Sequence, residues 1–114
     1  MELPSLRVLV IDPDPSIRAL LAAVAHRRGL AADTAANREE ALRYASSEHY
    51  AAVILEPRMI SGDTLLHELS CCNNVIVATT SAAQPPGVTA VLRKPFDLDA
   101  LTSALTACCA KECA

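Results

Sequence analysis

Leu6-Arg7-Val8-Leu9-Val10-Ile11-Asp12-Pro13-Asp14-Pro15 is the stretch that decides the fold of this chain. A short, β-rich apolar run ends abruptly at two acids and two prolines. Such a run is too brief for a helix and is apolar at consecutive positions, so it predicts a buried strand over Leu6–Ile11. The next segment reads as a helix. Asp14 is placed as its N-cap and Pro15 suits its first turn. Ile17, Leu20, Leu21, Val24 and Ala25 recur at helical spacing, and Arg27-Arg28-Gly29 closes the segment with dipole-favouring charges and a glycine.

The same unit repeats outward from there. Ala31–Ala35 is a weaker strand, and Asn37 can cap a helix containing Ala41, Leu42 and Ala45. Ala52–Leu55 is the next buried strand, and Ser61-Gly62-Asp63 opens a helix through Leu65, Leu66 and Leu69. Val75–Thr79 and Ala90–Leu92 are further strands, and Asp97 caps a last helix carrying Leu98, Leu101, Leu105 and Cys108. Strands apolar on both sides and alternating with helices predict a parallel sheet covered on both faces, an α/β three-layer α/β/α sandwich. Residues 1–114 are expected to form one domain. One unit is short: residues 80–89 include Gln84-Pro85-Pro86-Gly87, so the helix expected there is lost or reduced to a loop or one irregular turn.

Composition narrows the function classes. The chain has 114 residues, 52% apolar, with a formal net charge of −3, so it can bury a core. The acidic start Met-Glu-Leu-Pro does not read as a signal peptide, and no apolar run approaches the roughly 20 residues that span a bilayer. A cytoplasmic protein without membrane contact is expected. The ten Lys and Arg residues form no stripe with interleaved aromatics, which disfavours direct nucleic-acid binding. Cys71, Cys72, Cys108, Cys109 and Cys113 match neither a closed disulfide framework nor a zinc spacing, and read as small apolar residues kept reduced. His26, His49 and His67 share no ligand spacing. No Gly-rich phosphate loop or nucleophile elbow appears, and no enzyme activity is expected. A flavin carrier would need a Ser/Thr-rich loop where Asp-Pro-Asp-Pro stands.

Function therefore rests on residues that close the strands. Asp12 follows the first, Glu56 the third, Thr79 ends the fourth and Lys94 follows the fifth. An acid, a hydroxyl and a lysine at such positions are the parts of a phosphoryl-accepting pocket, although an Asp is expected where Glu56 stands. The stretches Val8–Arg18, Ala52–Met59, Val75–Thr79 and Leu92–Phe96, in this order, resemble the receiver domain of two-component response regulators over essentially the whole chain. The resemblance implies a flavodoxin-like fold with a five-stranded parallel sheet in order 2-1-3-4-5 and a site at the C-terminal strand ends. It also implies Mg²⁺ held by acids after the first strand and an acceptor after the third. A Thr and a Lys would then bind phosphoryl oxygens, and the Lys94–Pro95 peptide would be cis.

The sequence departs from that pattern at several of these places. Pro13 stands where the second acid is expected, Glu56 where the acceptor is, Val91 where an aromatic is, and Ile60 and Thr64 where a Pro and a Gly are. Mg²⁺ requires near-octahedral oxygen ligands, so Pro13 predicts weak or absent metal binding, with Asp14 occupied as a cap. Glutamate displaces its carboxylate by about 1–1.5 Å, where an error of about 1 Å costs on the order of a hundredfold in rate. The expected role is an atypical receiver acting as a phosphorylation-independent interaction module that docks to a signalling protein, itself included as a homodimer. The alternative is a domain still phosphorylated by a histidine kinase on Glu56 or a neighbouring acid. Two arrangements of Glu56 remain open. In one its carboxylate reaches Lys94 and Thr79, with Arg58 as a further partner; in the other it points to solvent while Lys94 pairs with Asp12. The docking surfaces expected are the first-helix/last-helix face and the sheet edge beside residues 80–89.

Overall fold

The computed structural model describes residues 6–56, 75–79, 90–93 and 98–113. Five parallel strands, β1 (Arg7–Ile11), β2 (Ala31–Ala35), β3 (Ala52–Leu55), β4 (Val75–Thr79) and β5 (Ala90–Arg93), form one sheet in the order β2-β1-β3-β4-β5. Helices α1 (Pro15–Arg27), α2 (Arg38–Ser47) and α3 (Leu98–Cys113) accompany them. The expected α/β sandwich with its strand order is therefore present. The helix opened by Ser61, the 80–89 crossover and the Asp97 cap lie outside the described residues.

Alternation along the strands divides the core into two layers. Val8 and Val10 of β1, Ala52 and Ile54 of β3, Ile76 and Leu92 pack with Leu21 and Ala25 of α1 and with Leu101, Leu105 and Cys108 of α3. Leu9, Ile11, Val53, Leu55 and Val75 face the other way, with Ala35, Ala41 and Tyr50. Cys108 is buried, in agreement with its reading as a small apolar residue. Among the described residues no helix is long and apolar enough to cross a membrane.

Local chemistry sets the helix ends. Gly29, at φ 79°, terminates α1 because its N–H reaches the His26 carbonyl at 3.0 Å while that of Leu30 reaches Ala25 at 3.0 Å. This is a Schellman closure, which needs a left-handed residue between the two bonds. At α2 the Asn37 side chain accepts from the Glu40 N–H at 2.9 Å, and the Glu40 carboxylate accepts in turn from the Ala36 N–H at 3.4 Å. These reciprocal bonds satisfy donors that a helix start leaves open.

At the N-terminal end of the sheet, an ionic cluster fastens the edge strand. Arg7 Nη1 donates to Asp33 Oδ2 at 3.2 Å, and the hydroxyl of fully buried Tyr50 donates to the same oxygen at 2.8 Å. Arg7 Nε lies 3.9 Å from Glu48 Oε2. Burial, reinforced by the Asp33 carboxylate, pushes the Tyr50 hydroxyl well above the usual tyrosine range. The unfolded chain thus ionises Tyr50 from about pH 10 upward while the folded one holds the proton. Stability from this group is complete below pH 10 and falls above it, by at most about 1.4 kcal/mol per pH unit. Tyr50→Phe is expected to lose about 1.5–3 kcal/mol at neutral pH, the value of a hydrogen bond to a charged group. It should also flatten the alkaline fall by one proton's share, which urea unfolding on both sides of pH 10 measures.

Candidate functional site

The two buried charged residues among those described, Asp12 and Glu56, are both 2% exposed and stand side by side. Ile11 is in register with Leu55, so each acid is the first residue beyond its strand on neighbouring strands. The ladder continues through them: the Glu56 N–H donates to the Ile11 carbonyl at 3.0 Å, and the Asp12 N–H to the Ala35 carbonyl at 3.2 Å. Their backbones are therefore separated by about one strand spacing, ~4.8 Å. Two carboxylates held this closely and away from water require hydrogen-bond donors or a cation. Among the described residues no buried side-chain polar atom lacks a hydrogen-bond partner.

The loop after β1 is closed by its own groups. Asp12 Oδ1 accepts from the Asp14 N–H at 2.9 Å, and Asp14 Oδ1 accepts from the Ser16 N–H at 2.9 Å. Asp14 is thus the N-cap that its position predicts, exposed and directed to α1. Pro13 between them is exposed and its side chain carries no ligand atom. Asp14→Ala should cost about 1 kcal/mol of stability, the usual loss for such a cap, read as a shift in the urea midpoint.

Arg18 is the residue that sequence reasoning missed. Its Nη1 donates to the Asp12 carbonyl at 2.7 Å, while its own N–H bonds the Asp14 carbonyl at 3.0 Å. The guanidinium ties the first turn of α1 to the acid loop. The available signal is a cation in the first turn of a helix, where the dipole disfavours one.

Thr79 closes β4 in register with Arg93, the last residue of β5. Val77 is the register partner of Leu55, so Thr79 stands on the same C-terminal rim as Glu56. Lys94, the next residue after β5, lies outside the described residues, as do Arg58, Ile60, Thr64 and the Lys94–Pro95 peptide. Burial of Glu56 overturns the arrangement in which its carboxylate points to solvent.

No family model matches the sequence, and no curated protein is detectably similar to it. Solved structures do match. The response regulator protein TrrA from Thermotoga maritima, solved with Mg²⁺-BeF, is 30% identical with a TM-score of 0.79, the match covering 90% of this chain and 98% of that one. The chain belongs to the response-regulator receiver family. The chemotaxis response regulator CheY4 of Vibrio cholerae shares the fold at 23% identity and TM-score 0.80, over 92% of this chain and 99% of that one. So does the receiver domain of the sensor histidine kinase PA1611 from Pseudomonas aeruginosa, solved with a magnesium ion in its active-site cleft, at 20% identity and TM-score 0.79 over 91% and 97%. In this receiver domain the strand-end rim carries Asp12, Glu56 and Thr79, with Pro13 and Asp14 in the loop between β1 and α1. Glu56, the first residue after β3, is thus a buried acid beside the strand that Asp12 follows.

Proposed function

We propose that this receiver domain is a protein-interaction module of two-component-type signalling that works without phosphorylation and has no enzyme activity. The observation that carries the reading is Glu56, buried beside Asp12 at the acceptor position. The residues after β1 do not fit an Mg²⁺ ion. Pro13 supplies no side-chain oxygen, Asp14 is turned to the Ser16 N–H, and one Asp12 oxygen already accepts from the Asp14 N–H. Mg²⁺ needs its oxygens at about 2.0–2.1 Å in near-octahedral array, and this loop offers too few.

In the same reading, the Glu56 carboxylate accepts from Lys94 and Thr79, with Arg58 as a further donor, and fills part of the space a phosphoryl group would take. Such a pair biases the domain toward one conformation only through contacts that differ between its states. A permanently placed carboxylate holds that bias without a kinase. The partner is a signalling protein in the cytoplasm rather than nucleic acid or a membrane.

Incubation with acetyl phosphate and MgCl₂, followed by intact mass, tests this. No gain of a phosphate mass is expected. A gain located on Glu56 or a neighbouring acid would instead make the chain a histidine-kinase substrate.

A further inference from the structure

We infer that Arg18 is the built-in counter-ion of the Asp12–Glu56 acid pair, a positioning residue whose charge keeps both carboxylates in place at the rim. The inference rests on the role proposed above for the same site and deepens it. It begins with where Arg18 stands. Arg18 lies in the opening turn of α1, close to the positive end of the helix dipole, where a cation is disfavoured. It is also half-buried, so a long, rotamer-rich side chain is held still there at a cost in entropy. A favourable interaction must offset both.

The bond to the Asp12 carbonyl, at 2.7 Å, is one part of it. A neutral amide donor would serve that carbonyl without the dipole penalty, so the charge itself calls for a reason. Among the described residues the ion pairs involve Arg7 and none involves Arg18, so its charge is not taken up by a closer acid. The main-chain oxygen of Asp12 and its side-chain carboxylate belong to one residue. Covalent geometry therefore places the guanidinium nitrogen no farther than about 8 Å from that carboxylate. Asp12 and Glu56 are both buried, and buried charges are little screened over such a distance.

The loop holds the acids where that charge acts. The Asp12 N–H is bound to the Ala35 carbonyl and its Oδ1 to the Asp14 N–H, so the residue is fixed at its amide, its side chain and its carbonyl. Pro13 and Pro15 restrict the backbone on either side of Asp14. Asp14, the third acid here, is exposed and turned to the Ser16 N–H, where water and the helix start already stabilise it. The buried pair lacks that help and gains most from a permanent positive charge. In the reading above Lys94 serves Glu56 from beyond β5; Arg18 serves the pair from α1.

Urea unfolding of the whole chain tests the inference. Arg18→Gln keeps a donor for the Asp12 carbonyl and removes the charge, and should raise the unfolding equilibrium constant at least roughly tenfold. Arg18→Lys, which keeps the charge, should stay within about threefold of the parent. Asp12→Asn retains the main-chain carbonyl and an oxygen for the Asp14 N–H but loses the negative charge. In that background the effect of Arg18→Gln should shrink to within about threefold. Glu56→Gln repeats the comparison from the other carboxylate and decides the matter if Asp12→Asn does not fold. An effect of Arg18→Gln that is equal in every background, or an Arg18→Lys as damaging as Arg18→Gln, would reduce Arg18 to a tie on the carbonyl and overturn the inference. The acetyl phosphate result is independent: additive losses in an unphosphorylated chain overturn only the counter-ion, and coupled losses in a phosphorylated chain overturn only the phosphorylation-independent role.

Discussion

The double substitution Pro13→Asp/Glu56→Asp should bind Mg²⁺ and take phosphate from acetyl phosphate, whereas the parent chain is expected to do neither. Pro13 is exposed beside buried Asp12, so an aspartate there adds an oxygen ligand without entering the core. Glu56→Asp withdraws the carboxylate by one methylene, correcting a displacement of about 1 Å that by itself costs on the order of a hundredfold in rate. Both changes are required, because phosphoryl transfer depends on position and on charge neutralisation together. Each single variant should remain unphosphorylated on the timescale at which the double variant is complete. Intact mass follows the phosphate, and a thermal shift on adding MgCl₂ follows the metal. A folded double variant that stays unmodified would place the defect outside these two side chains.

The largest effect on stability is expected at Glu56 itself. Glu56→Met should cost about 3–5 kcal/mol, because removing one member of a buried ion pair leaves its partner charged and unpaired. The proposed partner is Lys94, so Lys94→Met should cost a similar amount. Glu56→Met/Lys94→Met should cost clearly less than the sum, with a coupling of about 1–3 kcal/mol. Urea unfolding of the four proteins closes the cycle. Additive losses would assign the Glu56 carboxylate to a different donor and remove Lys94 from the proposed lock.

Most of the described fold was legible because its signals are local. The expected strands at Ala31–Ala35, Ala52–Leu55 and Val75–Thr79 coincide with β2, β3 and β4, and β1 and β5 differ from their expected spans by one residue. Apolar runs bounded by acids, glycine or proline leave little freedom about where a buried strand stops. Asp14, Asn37 and Gly29 ended their helices as expected because capping depends on one side chain or one φ angle. The contacts that escaped sequence reasoning are long-range or lie across a turn. Tyr50 meets Asp33 and Arg7 only once the sheet order brings β2 against β1. Arg18 meets the Asp12 carbonyl across the turn that opens α1. For the site, the sequence supplied Asp12, Glu56 and Thr79 as residues closing neighbouring strands. It did not distinguish a buried Glu56 from an exposed one, since a carboxylate at a strand end is compatible with either until the flanking strands are placed.

The ionic cluster on β2 has a consequence for how the domain behaves in a crowded solution. β2 is the outermost strand on its side, and its free edge could accept a foreign strand and start a polymer. Asp33 sits on that strand, on the same face as Leu9, and its charge is matched only when Arg7 and Tyr50 are in place. A strand that slipped by one position would carry this carboxylate to the opposite face, away from both donors. Misregistered pairing is therefore penalised at the place where the sheet is most open, a safeguard against aggregation written into a single inward-facing acid.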